Sequence, residues 1–123
     1  MDDIEDTNNE RRTFSRISFD ADTFLCQDDR RWQVELIDIS LNGVLVKLPH
    51  DWDGDPTKDT TVYIHLGGDI AINMITHLAH HIDGRAGFQC THIDLDSISH
   101  LRRLVELNLG DTQLLERELS HLT

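Results

Sequence analysis

From Ile17 to Ile93 apolar residues fall on alternate positions in short runs, and clusters of Gly, Pro or Asp stop most of those runs. A period of two marks strands with one buried face. Ile17, Phe19, Ala21, Thr23 and Leu25 predict a first strand, turned by Gln27-Asp28-Asp29-Arg30. Trp32, Val34 and Leu36 predict a second, which Asp38–Gly43 interrupts. Val44, Val46 and Leu48 resume the alternation until Pro49. A polar loop over 50–59 leads to Val62, Ile64 and Leu66, and Gly67-Gly68-Asp69 turns that strand into Ile70, Ile72 and Met74 as a hairpin. The second arm continues through Leu78 to Asp83-Gly84, and Ala86–Ile93 is the last strand. So many short strands in succession predict an all-β barrel or sandwich.

The period then changes. Asp96-Ser97 offers a helix cap, and Ile98, Leu101, Leu104, Val105 and Leu109 recur at helical spacing until Gly110. Asp111 opens a second helical run with Leu114, Leu115, Leu119 and Leu122 on one face. Residues 1–10 read as a flexible acidic tail. Residues 11–123 read as one domain, with a barrel over about 17–94 and C-terminal helices over about 97–122.

A chain of 123 residues is long enough for a single core. It has no run of eighteen apolar residues, so no membrane insertion by a helix is expected. Its acidic start does not resemble a secretion signal. The expected location is the cytoplasm, where Cys26 and Cys90 stay reduced. The formal charge of −12 opposes DNA or RNA binding, which needs a broad basic surface.

Against that balance, Arg11, Arg12 and Arg16 crowd into six positions just after an N-terminal stretch holding five of the 23 acidic residues. The positive potential is local and suits a small anion. A guanidinium is a planar fork that grips phosphate or the O6/N7 edge of guanine with paired donors, and it can stack on a purine. Downstream, Asp38-x-Ser40-x-x-Gly43 sets a carboxylate and a hydroxyl two residues apart. In an extended segment both face one side while Ile39 faces the core. The carboxylate can accept from the N1–H and N2–H₂ edge of guanine, and the serine can donate to a phosphate or a base. Gly43 allows a positive φ or the close approach of a ligand. Taken separately, these segments also read as a solvated basic patch and a simple Asx or Ser turn.

Together, Arg12-x-x-x-Arg16 followed by Asp38-x-Ser40-x-x-Gly43 resembles the PilZ domain family over roughly Arg11 to Asp94. The stretch from Ile93 to Leu104 resembles the tail of its small stand-alone members. The resemblance implies a mainly β fold, a six-stranded antiparallel barrel with C-terminal α-helices and a flexible N-terminal arm. It also implies a receptor for the second messenger cyclic di-GMP, held by Arg11, Arg12, Arg16, Asp38, Ser40 and Gly43. This ligand carries two phosphates and two guanines, so cationic forks and a guanine-edge acceptor suit it.

No nucleophile–base pair or hydrolytic metal motif accompanies these residues, so no enzyme activity, metal or cofactor is expected. With no output domain in the chain, a downstream protein partner is. His80 or His81, near the barrel rim, is a possible stacking platform for guanine. Along a regular strand His77 and His81 share a face and His80 does not, which opposes a metal site at His77, His80 and His81. Trp32 falls in a core-like alternation and is expected to pack the barrel. Two other functions fit the same fold: an assembly adaptor, as in pilus biogenesis, that binds no nucleotide, and an oligonucleotide-binding barrel, which the charge disfavours.

Overall fold

Strand runs and turns of this kind close on themselves when the last strand can pair with an early one. The computed structural model describes Ile17, Ser18 and residues 21–109. Its strands are β1 (Ile17–Ser18), β2 (Asp22–Gln27), β3 (Arg30–Ser40), β4 (Gly43–Lys47), β5 (Thr60–Gly67), β6 (Ile70–Ile82) and β7 (Arg85–Ile93). One helix, α1 (Leu95–Leu109), follows. All pairings are antiparallel, in the order β3-β2-β5-β6-β7-β4, and β4 returns to β3. The result is a six-stranded closed barrel, a way of leaving few strand edges unpaired. The short β1 is an addition on the edge of β3. The first strand expected from the sequence is therefore two pieces, both paired to β3.

The alternation places Leu25, Val46, Val62, Ile64, Ile72 and Met74 at zero exposure inside the barrel. Each buried branched chain contributes roughly 1.5–3 kcal/mol. Thr76 is also fully buried, and its hydroxyl donates to the Thr60 carbonyl at 2.7 Å, so no lone polar group is stranded there.

Four bulges or irregularities break the register, and two of them shape the outer wall. Ile37 is an extra residue on β3 opposite β4, and Ala79 is an extra residue on β6 opposite β7. Each moves the inward phase by one position: Val34 and Leu36 point in before Ile37, Ile39 after it. Asp38–Gly43 does not interrupt the strand pattern as expected. β3 runs on through Ser40, and only Leu41-Asn42 turns. At Asp83-Gly84 φ is 54° and 77°, the left-handed pair that a two-residue hairpin of matching twist requires.

The helix begins earlier than Asp96-Ser97. Asp94 is the cap: its carboxylate accepts from the Ser97 N–H at 3.0 Å, and its carbonyl accepts from Ile98 N–H at 2.9 Å. Donation from Ser97, by its side chain and then its backbone N–H, holds the Asp94 carboxyl below the usual carboxylate value. The Ser97 hydroxyl in turn accepts from Asn73 N–H on β6 at 2.9 Å, which fixes the start of α1 to the barrel. Ser97, Leu101 and Val105, spaced by four, make the buried stripe of the helix. The expected second helix after Asp111 and the arm ahead of Ile17 lie outside the described residues.

The loop over 50–59 is pinned rather than free. Gln27 donates to the Asp55 carbonyl at 2.8 Å and accepts from Asp55 N–H at 2.9 Å. Arg30 pairs with Asp53, and Trp32 Nε1 donates to Asp53 at 3.2 Å. The Arg30 pair and the Trp32 donation hold the Asp53 carboxyl low. Trp52 packs its ring 5.8 Å from that of Trp32, so Trp32 does pack the barrel, at its rim.

Candidate functional site on the outer wall

Partners across an antiparallel ladder point to the same face. Tracing the register from Asp38 therefore identifies its neighbours on the outside of the barrel. Asp38 pairs with Leu45, Leu45 with Gly87, and Gly87 with His80, one row across β3, β4, β7 and β6. A second row runs Ser40, Gly43, Gln89 and His77. Rows two residues apart lie about 7 Å from one another, and each spans about 14 Å across four strands. The wall thus joins Asp38, Ser40 and Gly43 to Gln89, His77 and His80, three residues that lie far away in the sequence.

Asp38 is partly exposed and Ile39 is fully buried, whereas Ser40, on the same face as Asp38, is buried at 7% exposure. The Ser40 hydroxyl donates to Asn42 Oδ1 at 2.8 Å. In this arrangement it holds the hairpin turn, and meeting a ligand requires it to accept through a lone pair or exchange that partner. Of the two uses the sequence allows for Gly43, the first fails. Its φ is not positive. A Cβ there would lie 2.3 Å from the Phe88 carbonyl oxygen, so the glycine allows β4 and β7 to approach. Asn42 carbonyl accepts from Cys90 N–H at 2.7 Å on the same seam.

The histidines are also redistributed. The bulge at Ala79 gives His77 and His80 a shared outward phase and gives His81 the phase of the core-facing Ala86. The expectation that His77 and His81 share a face fails because that extra residue resets the alternation. The His80 ring lies over Gly87, where a Cβ would stand 2.2 Å from the ring carbon Cε1. His81 instead meets the edge of Trp52, with ring centroids 6.4 Å apart. Among the described residues no cluster of His, Cys, Asp and Glu is arranged to hold a metal.

Arg11, Arg12 and Arg16 lie outside the described residues. Ile17, bonded directly to Arg16, pairs with Ile39, and Ser18 pairs with Asp38. Both cysteines are free, and burial raises the Cys90 thiol above its usual value. No helix among the described residues is long and apolar enough to cross a membrane.

Fold and wall together define a small closed-barrel domain whose candidate site lies on its outer face. The chain belongs to the PilZ domain family, whose model matches residues 10–107. Among solved structures, the Bacillus subtilis inhibitor of motility MotI/DgrA is similar with a TM-score of 0.66 and 14% identity. The match covers 82% of this chain and 52% of that one, so the chain spans about half the length of that neighbour. The PilZ domain of CeSA from a cellulose-synthesizing bacterium gives a TM-score of 0.57 and 22% identity, covering 79% and 99% of the two chains. A Legionella protein, Lpg0364, gives 0.50 and 19%, covering 80% and 97%. At these identities the likeness is one of fold.

Proposed function

We propose that this protein is a cytoplasmic receptor for cyclic di-GMP that relays the signal to a partner protein and is not itself an enzyme. The observation that carries the reading is the seating of β1. It pairs Ile17, the residue after Arg16, with Ile39 and Ser18 with Asp38, which supports a meeting of the two sequence motifs at this edge of the wall. In this reading Arg11, Arg12 and Arg16 grip phosphate and guanine, and Asp38 accepts from a guanine edge. Ser40 and Gly43 shape the ledge, and the ring of His80 offers a flat platform for a base. Residues 1–16 close over the bound nucleotide, and that change presents a new surface to the partner. A role in motility or biofilm control fits the likeness to a motility inhibitor.

A second reading, an assembly adaptor that binds no nucleotide, is favoured by one observation. Ser40 and Gly43 each have a folding role, in the turn and in the β4–β7 seam, that needs no ligand. Isothermal titration with cyclic di-GMP separates the two. Saturable heat at micromolar protein, with slower amide exchange at residues 10–16, supports the receptor. No heat supports the adaptor.

A further inference from the structure

The outer wall continues past the Asp38 row. Two residues further along the strands, Glu35 pairs with Lys47, Lys47 with Arg85, and Arg85 with Ile82. Lys47 and Arg85 are both exposed and stand directly opposite one another. Like charges in that position destabilise a sheet. Neither is ion-paired to Glu35, Asp83 or any other described residue, although both carboxylates line the same groove. That groove has a volume of about 490 Å³ and is completed by Leu36 and the bulged Ile37. Bulges often re-aim side chains beside a binding site. In a chain of net charge −12, two adjacent cations that no described residue holds in an ion pair are poised for an anion from outside.

We infer that Lys47 and Arg85 form a second phosphate-contacting position, so that a cyclic dinucleotide spans from the Asp38–Ser40 ledge to this groove. The inference rests on the receptor reading above and extends its site. The ligand has two phosphodiesters, and the receptor reading assigns the arginines of the N-terminal motif to one of them. A second cationic position about 7 Å along the strands meets the other phosphate. The guanidinium of Arg85 supplies the fork and the ammonium of Lys47 a point charge. Glu35 and Asp83, which line the same groove, keep it from attracting polyanions broadly.

The test is a calorimetric titration of the full chain with cyclic di-GMP at two salt concentrations, comparing wild type with Lys47→Gln/Arg85→Gln. The expected result is about tenfold weaker binding, with a shallower dependence on salt. The melting midpoint should hold or rise, because a like-charge pair has gone. That combination separates a binding role from a structural one. The reversed variant Lys47→Glu/Arg85→Glu should weaken binding further. Affinity and salt dependence equal to wild type in the Gln variant overturn the inference and leave the receptor reading intact. If wild type itself fails to bind, the receptor reading falls first and this extension falls with it.

Discussion

Asp38→Ala should weaken cyclic di-GMP binding roughly a hundredfold or more while leaving the barrel folded. Asp38 is only partly buried and lies on the outer phase of β3, with core residue Ile39 beside it. Its removal opens no cavity in the core, so stability should change little. Binding is different. A carboxylate accepting from two donors on one guanine edge makes two charge-assisted hydrogen bonds, each worth about 1.5–3 kcal/mol. Loss of both leaves the guanine donors without a partner in the site. Asp38→Asn keeps one acceptor but loses the charge, so it should fall between wild type and alanine. Arg16→Ala belongs in the same titration and should weaken binding through the phosphate rather than the base. Equal affinity in all four proteins would falsify the assignment of these residues.

The largest effect on folding is expected at the glycine of that motif. A methyl group on Gly43 meets the Phe88 carbonyl oxygen at 2.3 Å and the Gln89 Cα at 3.3 Å. Both are backbone atoms of the paired strand, so relief requires the β4–β7 seam to open. That seam carries the bond from Cys90 N–H to the Asn42 carbonyl at 2.7 Å. Overpacking of this kind costs about 1–3 kcal/mol, and loss of a seam hydrogen bond adds to it. Gly87→Ala is the matched control. Its new methyl meets the ring of His80 at 2.2 Å, and a side chain on an exposed position can rotate away. Chemical denaturation should show Gly43→Ala strongly destabilised and Gly87→Ala nearly unchanged. If Gly43→Ala is as stable as wild type, the glycine is not there to close the barrel.

The strands were legible because Val62, Ile64, Ile72 and Met74 keep strict alternation between glycine turns. The motif was legible because Asp38 and Ser40 sit on one strand, two residues apart. What escaped the sequence depends on register. A single extra residue at Ala79 moved His80 onto the Asp38 row and turned His81 toward Trp52, and no local signal marks that residue as a bulge. Lys47 and Arg85 are 38 residues apart along the chain (85 − 47) and become neighbours only through the β4–β7 ladder. The cap was misplaced for a plainer reason. Asp94 and Asp96 both suit the role, and the choice is made by Ser97, which must reach back to its cap and across to Asn73.

Backbone amide shifts followed by NMR during addition of cyclic di-GMP locate the ligand on the protein itself. The largest changes should fall on β3, β4, β7 and β6, at Asp38, Ser40, Gly43, Gly87 and Gln89. Changes confined to β2, β5 or the outer face of α1, with that wall unmoved at saturation, would contradict a nucleotide seat beside Asp38.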